Sequence, residues 1–245
     1  MDNPTPKKTL VQNLTGFRKP VRFVFAIGFA VALLLCLHPD LRGADFTRYL
    51  FWTRTLFFDH DILLINEFEM FGERLLITPT GHALEFHNFG TAIFWLPFYA
   101  LAYLIDVILL RPGETGPRGF ERIYVLLINF STWFYAGLTW LILYRLLRRY
   151  RRAAASFWAI VFVVAGTSYL YYTVFLPVSS HIVSALLATI FMFLWEIDRR
   201  QPRWQLWLAM GLVGGGLLLV ASYNLPFLML PGLTLLDDVF KNGFR

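Results

Sequence analysis

The sequence predicts an all-α polytopic membrane protein, with about six transmembrane helices (six to seven) and interfacial amphipathic helices in its first outer loop. Hydrophobic residues make up 57% of its 245 residues and charged residues only 16%, and the mean hydropathy is +0.55. Soluble domains carry about a quarter charged residues. The net charge of +6 comes from arginines placed beside apolar runs, so it indicates topology and not nucleic-acid binding. The single cysteine, Cys36, excludes a disulfide framework within the chain.

The amino-terminal part predicts a cytoplasmic tail at residues 1–20 and then a single transmembrane domain at residues 21–245. The first apolar run, Val21–Leu37, is about long enough to span the hydrocarbon core of a bilayer. A cleaved signal peptide is the alternative, but the basic stretch before the run is long and no small-x-small site follows it. We therefore predict an uncleaved anchor whose amino terminus is cytoplasmic.

Further crossings are predicted at residues 123–144, 153–175, 181–197, 204–223 and 225–240. The Arg-rich clusters at residues 145–152 and 198–203 indicate cytoplasmic ends, so one apolar segment of the chain must fail to cross. We assign this role to Gly90–Leu110, because Pro97 interrupts its hydrogen bonds and Asp106 lies within it. Both termini are then cytoplasmic in a multi-pass protein of the cell inner membrane. A seventh crossing by Gly90–Leu110 is the alternative.

The outer loop and its interfacial helices, residues 38–122, contain four of the five histidines and are the predicted place of any chemistry. Residues 45–59 predict an amphipathic helix that rests on the outer leaflet and turns a polar stripe toward water. Its opposite side carries Leu50 and Phe51. Two outer corners, at residues 175–181 and 222–226, are predicted to face the same compartment as this loop.

Several polar residues are candidates for the site. Asp45 can act as a general base for a bound hydroxyl, or simply cap its helix. Arg48, Arg54 and Arg74 are candidate phosphate ligands, since guanidinium binds phosphate through two hydrogen bonds; alternatively they extend to lipid headgroups. His181, at the head of a predicted crossing, is either a satisfied interfacial histidine or a proton-handling residue.

His82, Glu85 and His87 have a spacing that loosely fits metal ligands. No regular helix is predicted between them and no second cluster accompanies them, so we predict no metal site and no other cofactor. His82 and His87 are kept as candidate substrate ligands.

A series of short motifs follows the basic tail and the first apolar run in chain order: Gly43-Ala44-Asp45, Tyr49-Leu50, Phe58-Asp59-His60-Asp61-Ile62, His87-Asn88-Phe89-Gly90-Thr91-Ala92, Leu96-Pro97-Phe98-Tyr99, Arg148-Arg149 and Asn224-Leu225-Pro226. This order resembles the amino-terminal half of the GT-C glycosyltransferases. These multi-spanning enzymes use polyprenyl-phosphate sugars and include protein O-mannosyltransferases and the lipid A aminoarabinose transferase.

The resemblance implies that Asp45 is the catalytic base that deprotonates an acceptor hydroxyl, with inversion at the sugar and departure of polyprenyl phosphate. An arginine among the three candidates would stabilise the departing phosphate. The implied partners are a polyprenyl-phosphate-linked sugar and membrane lipid. Phe46 departs from the pattern, because it stands where the family commonly has a second carboxylate.

The chain also carries about six crossings where members of that superfamily commonly carry more, which leaves a truncated or catalytically incomplete member as one expectation. The alternative function is a non-catalytic polytopic membrane protein that binds or transports a lipid-linked substrate. A structural membrane subunit is the third possibility.

Overall fold

The structure is a computed structural model that describes residue 30, residues 44–113 and residues 118–242. The predicted cytoplasmic tail and first crossing lie outside the described residues, apart from residue 30. The described chain is helical and contains no strand, only one antiparallel bridge between Ile77 and Ala83. The predicted all-α class is therefore confirmed for this part of the chain.

The described helices, in chain order, are α1 (Ala44–Arg54), α2 (Ile65–Phe71), α3 (Gly90–Ile105), α4 (Arg122–Leu147), α5 (Ala153–Gly166), α6 (Tyr169–Val174), α7 (Ser180–Asp198), α8 (Trp204–Val220) and α9 (Leu225–Asn242). A π-helical turn, Thr55–Asp59, continues α1, and a second one, Asp106–Leu110, continues α3.

Three of these helices are long and apolar enough to cross a membrane: Gly90–Leu110, Arg122–Leu147 and Ser180–Asp198. The apolar helices α5 and α8 are shorter, with 14 and 17 residues. The stretch predicted as one crossing at residues 153–175 is interrupted, because α5 ends at Gly166 and the extended Thr167 separates it from α6.

Helices α4 and α7 run side by side in the same direction. The hydroxyl of Thr132 donates a hydrogen bond to the Pro177 carbonyl just before α7 begins. Toward the other end, the guanidinium of Arg149 lies 4.7 Å from the ring centre of Phe193. The two Arg-rich clusters therefore share one end of the bundle. The first ten residues of α4 extend about 15 Å past the start of α7, at a rise of about 1.5 Å per residue.

Helix α3 packs antiparallel against this extension of α4. The hydroxyl of Tyr135 donates to the Phe94 carbonyl at 2.5 Å, and the rings of Tyr99 and Tyr124 lie 4.7 Å apart. Helix α3 thus begins level with the start of α7 and runs away from the Arg-rich end. The length and composition of Gly90–Leu110 allow a crossing. That this segment fails to cross therefore stays a prediction.

Asp106, buried at the end of α3, is held by three donors. Arg111 donates to both of its carboxylate oxygens at 2.9 and 2.7 Å, Arg118 donates at 3.0 Å and Tyr124 at 3.2 Å. Buried carboxylates are stable only when paired and hydrogen-bonded in this way. The cluster therefore fastens the chain after α3 to the start of α4.

The polar loop lies at the end of the bundle opposite the arginine clusters. The Asn88 amide donates to the Leu218 carbonyl in the last turn of α8 at 3.2 Å. The Tyr223 hydroxyl lies 3.1 Å from Nδ1 of His181, which joins the two predicted outer corners. These contacts bring the loop and both corners to one end of the bundle. That this end faces the outer compartment stays a prediction.

Helix α1 packs into the protein, which corrects the prediction that its apolar side rests on the outer leaflet. Leu50 and Phe51 are completely buried. The ring of Phe51 contacts those of Phe68 and Phe71 at 5.5 and 5.0 Å, so α2 covers the side predicted to face lipid. Helical periodicity separates the two sides of α1, but it does not show what covers them.

Candidate functional site

A cluster of charged side chains surrounds the first half of α1, and we call Arg48, Glu73, Glu85 and His87 the Arg48 cluster. Arg48 is ion-paired with Glu73, and its Nε lies 3.6 Å from Oε2 of Glu85. The other oxygen of Glu85, Oε1, lies 2.5 Å from Nδ1 of His87 and accepts the backbone N–H of His87 at 2.8 Å. Glu85 therefore links the guanidinium to the imidazole.

The position of His87 is fixed by α1. The ring of Tyr49 meets the imidazole edge-on, with the ring centres 5.2 Å apart. The indole N–H of Trp52 donates to the His87 carbonyl at 2.9 Å. A carboxylate that holds a histidine in one orientation is an arrangement suited to proton transfer and to binding anions. From the sequence, Glu85 was considered only as a possible metal ligand, and its contacts with His87 and Arg48 were not predicted.

Residue 45 lies in the first turn of α1, and its side chain is outside the described part of the chain. Along an α-helix, residues three and four positions apart occupy the same side. The register of residue 45 is therefore that of Arg48 and Tyr49, both of which contact the segment carrying Glu85 and His87.

Arg54 belongs to a second cluster, which consists of Arg54, Asp59 and Glu67. Its Nη1 lies 2.5 Å from Oε1 of Glu67 and 2.7 Å from Oδ2 of Asp59, and its Nε donates to the Arg118 carbonyl at 3.2 Å. The side chain is buried. These contacts tie α1 to α2 and to the segment before α4, so the guanidinium is already engaged by protein groups.

Glu67 is completely buried, and its Oε2 has no hydrogen-bond partner among the described residues. Burial raises the pKa of this carboxyl to about 7, and the hydrogen bond from Arg54 opposes the rise only in part. Two carboxylates share a single guanidinium here. Glu67 therefore takes up a proton near neutral pH.

Replacing Glu67 with Gln is expected to change how stability depends on pH. The folded state favours the protonated carboxyl, so the contribution of Glu67 to stability is full below pH 4.5 and declines as the pH rises to about 7. Gln cannot ionise, so the variant gains up to about 3 kcal/mol relative to wild type across this window. Melting of both proteins in detergent from pH 4.5 to 8 measures the difference. A difference that does not vary with pH would contradict the assignment.

The remaining predicted site residues lie apart from Arg48 and His87. Arg74 is exposed at the start of the segment that leads to His82. The backbone N–H of His82 donates to the hydroxyl of Thr78 at 3.1 Å, and its carbonyl accepts the Thr78 N–H at 2.8 Å, which closes a tight turn. The ring centres of His181 and Tyr172 lie 3.9 Å apart. Among the predicted site residues, the described contacts therefore link only Arg48 and His87, and they do so through Glu85.

Among the side chains that the structure describes, no group of three or more His, Cys, Asp or Glu is placed to hold a metal ion. No protein-family model, curated protein or solved structure matches the chain.

Proposed function

We propose that the chain is a multi-pass glycosyltransferase of the cell inner membrane, with six crossings and both termini cytoplasmic. It transfers a sugar from a polyprenyl-phosphate donor to a hydroxyl acceptor on the outer side. The observation that carries the proposal is the Arg48 cluster, which adjoins the helix whose first turn holds Asp45. The cluster lies at the end of the bundle opposite the Arg-rich ends, in agreement with an outer site.

In this mechanism, the carboxylate of Asp45 accepts the proton of the acceptor hydroxyl. The acceptor oxygen then attacks the anomeric carbon, and the bond from that carbon to the phosphate oxygen breaks. Polyprenyl phosphate leaves with the bonding electrons. Arg48 and His87 stabilise the phosphate, and because Glu73 and Glu85 hold them in place, they need little reorganisation as the negative charge develops.

Replacing Arg48 with Gln tests the proposal. The variant is expected to lose about 100-fold or more in the rate of polyprenyl phosphate release, the loss typical when one charge-stabilising donor is removed. The assay uses purified protein in lipid nanodiscs with a polyprenyl-phosphate-linked sugar and a hydroxyl acceptor. Replacing the exposed Arg122 with Gln is the control, since it removes the same charge away from the cluster.

The same assay separates the proposed enzyme from a protein that only binds or transports a lipid-linked substrate. Saturable donor binding by wild type with no release of polyprenyl phosphate would favour the non-catalytic function. Equal rates in the Arg48 and Arg122 variants would exclude a role for the Arg48 cluster.

A further inference from the structure

Residues 75–86 form a short hairpin in the outer loop, and we call them the hairpin. Ile77 and Ala83 form the antiparallel bridge, and the backbone N–H of Leu84 donates to the Leu76 carbonyl at 2.7 Å. The Thr78–His82 turn closes the hairpin. Its second arm continues directly into His87 and the Arg48 cluster.

The second arm of the hairpin buries a charged side chain and exposes apolar ones, the reverse of an arm that faces water. Successive side chains of an extended segment point to opposite sides. Here the side chain of Glu85 is only 5% exposed, whereas its neighbour Phe86 is 83% exposed and Leu84 is also exposed. An antiparallel pair in water places its apolar side chains inward and its charges outward. The outward side of the hairpin is therefore built for an apolar environment.

The first arm adds Leu76 to the same apolar surface, because Leu76 is exposed and lies opposite Leu84 in the hairpin. Three large apolar side chains therefore project from one side of a twelve-residue segment. Exposed apolar surface of this kind marks contact with a membrane or with another protein. Single exposed leucines are ordinary, but an arm that buries a carboxylate and exposes a phenylalanine is not.

The position of the hairpin favours lipid over another protein as the contact. Its second arm leads through Asn88, which is hydrogen-bonded to the last turn of α8, into α3. At this junction Phe89, Ile93 of α3 and Leu219 of α8 are exposed, and both helices are strongly apolar. The exposed side of the hairpin is thus continuous with the apolar helix surface at the end of the bundle. Helix α8 ends here at Val220, so a bilayer that surrounds α8 ends at this level.

The charged residues in and next to the hairpin agree with a lipid contact. The exposed Arg74 immediately precedes the hairpin, and guanidinium binds the phosphates of lipid headgroups while its alkyl stem covers apolar surface. The hairpin contains one acidic residue, Glu85, and its carboxylate is turned inward.

We propose that the hairpin inserts Leu76, Leu84 and Phe86 into the outer leaflet, with Arg74 at the level of the lipid phosphates. Glu85 and His87 point away from the lipid on the same arm, so insertion sets the depth of the Arg48 cluster at the membrane surface. The phosphate of a lipid-linked molecule lies at that depth. The insertion itself does not depend on the proposed transferase activity.

Site-directed spin labelling tests the insertion. Cys36 is the only cysteine, so single cysteines are introduced in place of Leu84, Phe86 and the exposed Glu69 in a Cys36→Ser background. The labelled proteins are reconstituted into phosphatidylethanolamine–phosphatidylglycerol vesicles. Labels at 84 and 86 are expected to collide readily with oxygen, which partitions into lipid, and poorly with a water-soluble nickel chelate. The label at 69 is expected to collide with the chelate.

Two results would overturn the insertion. Free collision of the labels at 84 and 86 with the nickel chelate would place the hairpin in water. Collision with neither reagent would place it against protein, and spin–spin broadening between labelled copies would identify that protein as a second copy of the chain. A lipid-facing hairpin in a protein without transferase activity would leave the insertion standing and contradict only the proposed function.

Discussion

Replacing Asp45 with Asn is expected to lower the rate of sugar transfer by about 10²–10⁴-fold, the range attributed to a general base. The amount of folded protein is expected to stay unchanged. Asn caps a helix about as well as Asp, so the variant keeps the helix-start role while it removes the proton acceptor. The substitution therefore separates the two functions that the sequence leaves open for this residue.

The measurement is turnover of the donor in nanodiscs, with donor binding measured in parallel. Replacing the exposed Glu69 with Gln removes another carboxylate from the same loop and serves as the control. Turnover of the Asp45 variant close to that of wild type would show that the residue is not the base. If Asp45→Ala then lost folded protein, the capping role would be the correct one.

Replacing Gly90 with Ala is expected to disrupt the attachment of α3 to α8. A Cβ at residue 90 would overlap the carbonyl group of Leu219 and lie 2.5 Å from the backbone nitrogen of Val220. Backbone atoms of a helix cannot move aside as the end of a flexible side chain can. Overpacking of this kind costs about 1–3 kcal/mol and sometimes more. We expect a strongly lowered melting temperature and little monodisperse protein.

Replacing Gly211 with Ala is the matched control, because it makes the same change within α8 where no described atom outside the adjacent helix backbone lies within 4 Å of the new Cβ. Helical Gly→Ala changes without a clash stabilise by about 0.5–1 kcal/mol. Melting of both variants in detergent, followed by size-exclusion chromatography, gives the comparison. Equal stability of the two variants would show that α3 and α8 do not approach as closely as described.

The arrangement of the ends of the bundle could be predicted because it depends on charge and apolar length alone. The arginine clusters marked one end, and the corners around His181 and Tyr223 marked the other. The burial of α1 could not be predicted in this way. A helix with one apolar side looks the same in sequence whether lipid or protein covers that side. Phe51 contacts Phe68 because the chain turns back between α1 and α2, and the sequence pattern of α1 does not show that turn.

The candidate site was predictable in its residue types but not in its pairing. Arg48 and Arg54 look equivalent in sequence, yet six residues along an α-helix turn them about 120° apart, so they enter different clusters. His87 was recognised as a candidate, whereas the role of Glu85 depends on a hairpin whose inward side is polar. In an antiparallel pair that faces water, alternation places charged side chains outward, so it would not predict a carboxylate on the inward side.

The central claim is that the Arg48 cluster faces the outer compartment while the arginine clusters face the cytoplasm. Labelling with a membrane-impermeant maleimide tests it most directly, using cysteines in place of the exposed His60 and Tyr150 in the Cys36→Ser background. We predict labelling at position 60 in intact cells and at position 150 only after the membrane is opened. Labelling at position 60 that also requires opening the membrane would contradict the claim.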